Sequence, residues 1–259
     1  MSDDLRSLGD VLGTRILGRA HEHHDALGST NDRAAAWLRE GGPHGLVVTA
    51  DAQTAGRGRN GRSWSSPPGH NLYVSVGLRV ASGHRDLSAV GLAAGLGLYE
   101  GLGPLDGLGL KWPNDVLVGE RKLAGILCES RWGADVELVV GFGINVRREG
   151  IDPALASVAV ALDELGITTP RAQLLAGVLR ALEIRLDGFL IVGFEPLREA
   201  YVAANVQIGT RVRVTSGATV FEGEASAIDD DGALVVQTSA GPRTVHTADV
   251  TRARAGSDP

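Results

Sequence analysis

Hydrophobic and polar positions along the chain follow two different periods. Ala34-Ala35-Ala36-Trp37-Leu38 carries a helical spacing, and Ser29-Thr30-Asn31-Asp32 just before it supplies N-cap chemistry. Gly41-Gly42-Pro43 closes that helix. Leu46-Val47-Val48-Thr49-Ala50 is a short apolar run of the kind a buried strand needs, whereas Asn71-Leu72-Tyr73-Val74-Ser75-Val76 alternates and predicts a half-buried strand. Residues 86–102, rich in Leu, Ala and Gly, read as a helix, and further strands fit Leu108–Trp112, Leu123–Glu129 and Val136–Gly143. Ala172–Phe189 and Glu195–Ala204 read as helices. From Ile208 the texture changes to short β runs (Arg211–Val214, Val220–Ile228, Ala233–Gln237, Arg243–His246) parted by Ser216-Gly217, Asp231-Gly232 and Ala240-Gly241-Pro242. Residues 1–27 read as a lead-in, a short helix and then extended chain. The expectation is an α+β protein: a mixed sheet flanked by helices over 1–205 and a small β-barrel over 206–259.

The 259 residues suffice for one sizeable core and a small second domain. No apolar run approaches the roughly 20 residues of a membrane-spanning helix. The opening MSDDLRSLGD is acidic where a secretory signal is basic and then apolar, so a cytoplasmic protein with no membrane partner is expected. A single cysteine, Cys128, fits a reducing compartment, and its apolar strand reads as packing rather than reactivity. The net charge of −6 argues against a nucleic-acid binder, so any anionic ligand must be met by local positive charge. Of 25 Lys plus Arg, all but Lys111 and Lys122 are arginine. An arginine-biased composition could leave two lysines by chance; alternatively, two sites required a compact ammonium on a flexible stem.

Gly56-Arg57-Gly58-Arg59-Asn60-Gly61 is a literal G-x-G-x-x-G after an expected strand. A dinucleotide loop must also open a helix, and Ser66-Pro67-Pro68-Gly69 cannot continue one. Instead, three arginines separated by glycines make a cationic strap whose forks suit carboxylate and phosphate. Taken alone it could equally be a solvated loop. The second segment, Lys111-Trp112-Pro113-Asn114-Asp115 with Arg121-Lys122-Leu123-Ala124-Gly125-Ile126-Leu127, contains both lysines and suggests a strand, a tight turn and a return strand.

These stretches, with Gly28-Ser29-Thr30-Asn31, Gln53-Thr54-Ala55 before the strap and Gly141-Phe142-Gly143-Ile144-Asn145, closely resemble the biotin–protein ligase family in order and spacing. The resemblance runs from about residue 26 to 252, as motifs first and as architecture beyond them. It implies a catalytic fold like that of class II aminoacyl-tRNA synthetases (the biotin/lipoate ligase type) followed by an SH3-like barrel. It implies an amide-forming ligase that uses ATP and Mg²⁺ to make biotinyl-adenylate, with biotin as substrate. The acceptor would be a lysine of the biotin carboxyl carrier domain of a biotin-dependent carboxylase. By the same resemblance, Ser29, Thr30, Asn31 and Gln53 would meet the ureido ring; Arg57, Gly58, Arg59 and Lys122 would meet the carboxylate and α-phosphate. Arg62, Trp64, Lys111, Asn114 and Asn145 would serve the nucleotide, with Trp64 against adenine, and Asp115 would orient or deprotonate the acceptor lysine. Arg252 would reach the nucleotide phosphates. No protein-held metal site is expected.

Some family members are also repressors with an N-terminal DNA-binding domain. Only 27 residues precede Gly28, so a single-function ligase without DNA binding, monomeric or weakly dimeric, is expected. A lipoate or octanoate ligase or transferase would share the fold and differ in the pocket. A non-catalytic biotin binder would keep Ser29, Thr30 and Gln53 but need neither Lys122 nor the arginines. His21-Glu22-His23-His24 reads as a solvated surface cluster, and Asp229-Asp230-Asp231-Gly232 as a hairpin turn.

Overall fold

The computed structural model describes residues 4–81 and 87–253, so the first residue of the helix expected over 86–102 lies outside the described residues. A 3₁₀ turn over Leu5–Ser7 and a single helical turn, α1 (Leu8–Val11), precede β1 (His21–Leu27). Then come α2 (Thr30–Arg39), β2 (Leu46–Gln53), β3 (Leu72–Ala81), α3 (Val90–Gly101), β4 (Leu108–Lys111), β5 (Asp115–Val118), β6 (Arg121–Trp132) and β7 (Asp135–Ile144). The seven strands form one mixed sheet in the order β1-β2-β3-β7-β6-β5-β4, with β1 parallel to β2 and the rest antiparallel. Among the described residues no helix is long and apolar enough to cross a membrane.

Both faces of the sheet are covered. On one face Leu46 and Val48 of β2 and Val139 of β7 pack against Ala34 and Leu38 of α2. On the other, alternate residues such as Val74, Val76, Val140 and Phe142 join α3 and the long helix α4 (Arg171–Val192) in the main core. A strand covered twice has no wet side. That corrects the half-buried reading of the segment around β3, whose polar residues Asn71 and Ser75 are fully buried. Asn71 spends its amide structurally: its Oδ1 accepts from the Val146 amide at 2.8 Å and its Nδ2 donates to the Gly150 carbonyl at 3.0 Å.

The histidine-rich stretch is likewise not a solvated lead-in. It is strand β1, and its register sets His23 opposite Thr49. His21 Nε2 and His23 Nδ1 both reach the Thr49 hydroxyl, at 2.8 and 2.9 Å. Burial holds His21 down to about 4 and His23 below its ordinary value, so both rings are neutral at physiological pH.

Glu183 on α4 caps the loop before β1. Its carboxylate accepts from the backbone amides of Arg15, Ile16 and Leu17 at 2.8, 2.7 and 2.9 Å. Burial alone would raise this carboxyl, but the three amides and Arg15 outweigh burial and hold it below the usual carboxylate range. Its stabilisation is present above the unfolded carboxylate value of about 4.3 and is lost as pH falls through the folded value. Glu183→Ala is expected to cost about 3 kcal/mol, because it leaves three amides without their charged acceptor. A thermal melt at pH 7 checks it, and a variant melting with the parent would refute the capping role.

After α4 and α5 (Glu195–Ala204), strands β8 (Arg211–Ser216), β9 (Thr219–Ile228), β10 (Leu234–Thr238), β11 (Gly241–Val245) and β12 (Asp249–Arg252) form an antiparallel sheet in the order β11-β10-β9-β8-β12. Its β9–β10 turn is the aspartate run, whose Asp229 side chain accepts from the amides of Asp231 and Ala233. The two sheets meet at Trp112, which is buried: its backbone amide donates to Gln207 Oε1 at 2.7 Å and its indole to the Gly232 carbonyl at 3.0 Å.

Candidate active site

The site lies on the α2 face of the large sheet, where neighbouring strands present glycines. Register aligns Tyr73, Gly143 and Gly125 in one row and Ser75, Gly141 and Leu127 in the next. The three glycines make a floor. A Cβ on Gly143 would stand 2.5 Å from the Trp64 indole, and one on Gly125 would stand 2.9 Å from Lys122 Nζ. A Cβ on Gly141 would fall onto Asn31 Oδ1. The first turn of α2 therefore descends to the sheet, with Ser29, Thr30 and Asn31 all buried. Ser29 holds the N-cap position, yet its side chain makes no capping bond and lines the cavity instead.

The arginine strap leaves β2 and folds back as a small hairpin. Gly58 N donates to the Arg62 carbonyl at 2.7 Å and Trp64 N to the Gly56 carbonyl at 2.9 Å. Its tip turns through Asn60 and Gly61, at φ 56° and 73°, a left-handed pair that asparagine and glycine tolerate best. Each arginine of the strap has a protein partner, although Arg57 and Arg62 stay exposed. Arg57 makes two bonds to Asp32, at 2.7 and 2.8 Å, and reaches Glu129 at 3.1 Å. Arg59 donates to Asn114 Oδ1 at 3.2 Å and to Thr247 Oγ1 at 2.7 Å, and Arg62 pairs with Asp249 at 2.6 Å. Hydrogen bonding to Asp32 raises the Arg57 guanidinium above its ordinary value. Burial lowers that of Arg59, against the opposing pull of Asp249 and Asp115. Both remain charged at neutral pH.

Lys122 closes the floor. Its ammonium is 2.7 Å from Asp115 Oδ1 and 5.2 Å from the centre of the Trp64 ring. Asp115 thus belongs to a partly buried pair with Lys122, while Lys111 faces it across the β4–β5 register. Asn114 is spent on both sides, donating to the Ile126 carbonyl at 2.9 Å while accepting from Arg59. Asn145 donates its Nδ2 to the carbonyls of Lys122 and Val160, bracing that segment against β6.

Two hollows adjoin at this point. One, of about 200 Å³, is lined by Ser29, Thr30, Asn31, Gln53, the strap, Asn114 and the glycine floor. The other, of about 930 Å³ and mostly apolar, is lined by Asn145, Ile151, Leu155, Val158 and Arg252 among others. Arg62, Trp64, Lys111, Asp115 and Lys122 belong to both and form the wall between them. Thus all fourteen residues singled out from sequence gather here, and Arg252, which pairs with Glu120 at 2.9 Å, stands at the second hollow. Sequence reasoning missed Asp32, Ser75, Glu129, Thr247 and Asp249. Only Asp32 carried a signal, its place beside the Ser-Thr-Asn run. Cys128 lies apart, its thiol pushed up to about 12 by burial.

Residues 26–145 match the biotin/lipoate A/B protein ligase family, and residues 208–251 match the biotin protein ligase C-terminal domain. The chain is 37% identical over 265 residues to the biotin–[acetyl-CoA-carboxylase] ligase of Mycobacterium tuberculosis, covering 97% of this chain and 96% of that one. It is 32% identical over 250 residues to the bifunctional ligase/repressor BirA of Bacillus subtilis, covering 92% of this chain and 76% of that one. Among solved structures, the biotin protein ligase of Aquifex aeolicus in complex with biotin and ATP superposes with a TM-score of 0.79 at 27% identity, over 91% of this chain and 100% of that one.

Proposed function

Because the chain belongs to the biotin–protein ligase family, we propose that it activates biotin with ATP as biotinyl-adenylate and transfers the biotinyl group to a lysine of a carrier domain. The observation that carries this reading is the wall of Lys122, Asp115 and Trp64 shared by the two hollows. A carboxylate held in the small hollow and a nucleotide in the large one would meet at the Lys122 ammonium of that wall.

In the first step a biotin carboxylate oxygen forms a bond to the α-phosphorus and the bond to pyrophosphate breaks. Two anions are thereby brought together, and Lys122 with Arg59 offsets their charge. Arg57 joins them by exchanging Asp32 or Glu129 for the ligand. Trp64 supplies a flat face to the adenine, with Asn114 and Asn145 bracing the rims. In the second step the acceptor amine attacks the carbonyl carbon, AMP leaves, and the proton of the amine passes to Asp115. Asp115 is held by Lys122 and Asp249 by Arg62, so neither fits a resident metal ion; Mg²⁺ enters as part of the nucleotide substrate. We assign residues 1–205 to the catalytic unit and 206–259 to the barrel, with the cytoplasm as the setting.

Incubation with biotin, Mg-ATP and a carrier domain should place a covalent label on one lysine. Lipoate or octanoate in place of biotin should give none, and labelling by either in preference to biotin would overturn the reading. Arg59→Gly removes the link from the strap to Asn114 and Thr247. The adenylate should then escape about tenfold faster, as loss of roughly 1.4 kcal/mol implies. A release rate equal to the parent's would contradict a covering role.

A further inference from the structure

Away from the hollows, on the face of the large sheet that meets α4, β1 and β2 bring three metal-ligating side chains together. Thr49 and Asp51 share their face of β2 with Val47, which belongs to the main core, and Arg171 at the start of α4 reaches Asp51 Oδ1 at 2.9 Å. His23 and Asp25 stand two residues apart on β1 and so point the same way. The parallel register sets His23 opposite Thr49 and brackets Asp25 opposite Asp51, between the pairs His24–Ala50 and Ala26–Ala52. The ligand atoms of His23, Asp25 and Asp51 all lie within 4.8 Å of one another.

The His23 ring makes this more than a group of surface acids. Its side chain is 3% exposed, and its Nε2 is buried with no hydrogen-bond partner. That nitrogen faces Asp51 Oδ2 at 3.5 Å. Two ligand atoms bound to one zinc ion at about 2.1 Å stand roughly 3.4 Å apart in a tetrahedral set, so the gap has the span of a shared metal rather than of a hydrogen bond. A ring that donates Nδ1–H to Thr49 Oγ1, with the Thr49 hydroxyl donating onward to His21 Nε2, keeps its Nε2 lone pair for the ion. Charge favours a cation as well. Asp4, Asp25 and Asp51 gather around the ring against the guanidiniums of Arg6 and Arg171, which leaves one negative charge in excess.

We propose that His23, Asp25 and Asp51 form a binding site for a divalent transition-metal ion, of which zinc is the best fit, with water completing the set. An imidazole nitrogen beside two carboxylates suits zinc, whereas magnesium takes oxygen ligands. The ion ties β1, at the edge of the sheet, to its neighbour β2. It does so just before both strands hand over to the small hollow: Gln53 follows Asp51 by two residues, and Ser29 follows Asp25 by four. The site is separate from the proposed ligase chemistry and stands whether or not that reading holds.

The test titrates the chelator-stripped full chain with zinc chloride by calorimetry, with about 5 mM Mg²⁺ present throughout. The parent should bind one equivalent with a dissociation constant of about 10 µM, weaker than a four-ligand structural site because arginines share both carboxylates. Zinc at about 100 µM should raise its melting midpoint by about 3 °C. Asp25→Asn should weaken binding about tenfold or more and remove most of that rise. Its carboxylate is exposed and its pairing with Arg6 contributes little, so this variant keeps the fold and decides the result. His23→Gln should abolish both effects, even where loss of the buried ring lowers stability. His24→Gln, which removes a ring that meets Glu22 instead, should bind zinc as the parent does. Parental zinc affinity in Asp25→Asn, loss of binding in His24→Gln, or no saturable binding below about 1 mM overturns the inference.

Discussion

Lys122→Ala should lower the rate of adenylate formation about a thousandfold, equivalent to roughly 4 kcal/mol of transition-state stabilisation. The magnitude follows from where the ammonium stands. Like Arg62, which Asp249 holds, it is a cation of the wall tethered by one carboxylate, Asp115 at 2.7 Å, and it is steadied from one side by the Trp64 ring. The neighbouring guanidiniums are engaged twice over, by Asp32 and Glu129 or by Asn114 and Thr247, and are set for planar anions rather than for a single bridging point. Lys122→Arg should rescue poorly, since the glycine below leaves room for a methylene stem and not for a fork. Single-turnover pyrophosphate release measures the effect, with a thermal melt to show that the fold is retained. Release within about tenfold of the parent would remove Lys122 from the chemistry.

Gly141→Ala should abolish measurable biotin binding, raising the dissociation constant by about a hundredfold or more, near 3 kcal/mol. The added methyl would occupy the position of Asn31 Oδ1. That amide has nowhere to go, because Ser75 holds one end while Leu127 and Glu129 hold the other. Helix α2 must then lift from the sheet and carry Ser29 and Thr30 away from Gln53. Calorimetric titration with biotin checks this, alongside Gly188→Ala, whose Cβ meets nothing within 4 Å, as a tolerated control. Parental affinity in Gly141→Ala would mean that the glycine floor does not set the pocket depth.

The order of elements and the gathering of the site were legible because their signals are local. The apolar run at Leu46–Ala50, the breakers around Gly41-Gly42-Pro43 and the β texture after Ile208 each depend only on near neighbours. What failed depends on the third dimension. Strand β1 is polar in all of its first five residues, and only its parallel partner β2 makes it a strand. Strands β5 and β12 are four residues long, too short for alternation to declare itself. Ser75 looked like the wet side of a strand because nothing in the chain near it announces that α2 lies above. The strap's partners are harder still: Thr247 and Asp249 lie 188 and 187 residues from the arginines they hold.

That last separation has a consequence for how defects in this protein will present. The hairpin that shelters the reacting groups is buttoned onto the start of β12, so segments far apart in sequence share custody of one small loop. A lesion that merely slackens the second sheet will therefore masquerade as a fault in substrate handling, and genetic screens for lost activity should return substitutions in that sheet that touch neither ligand.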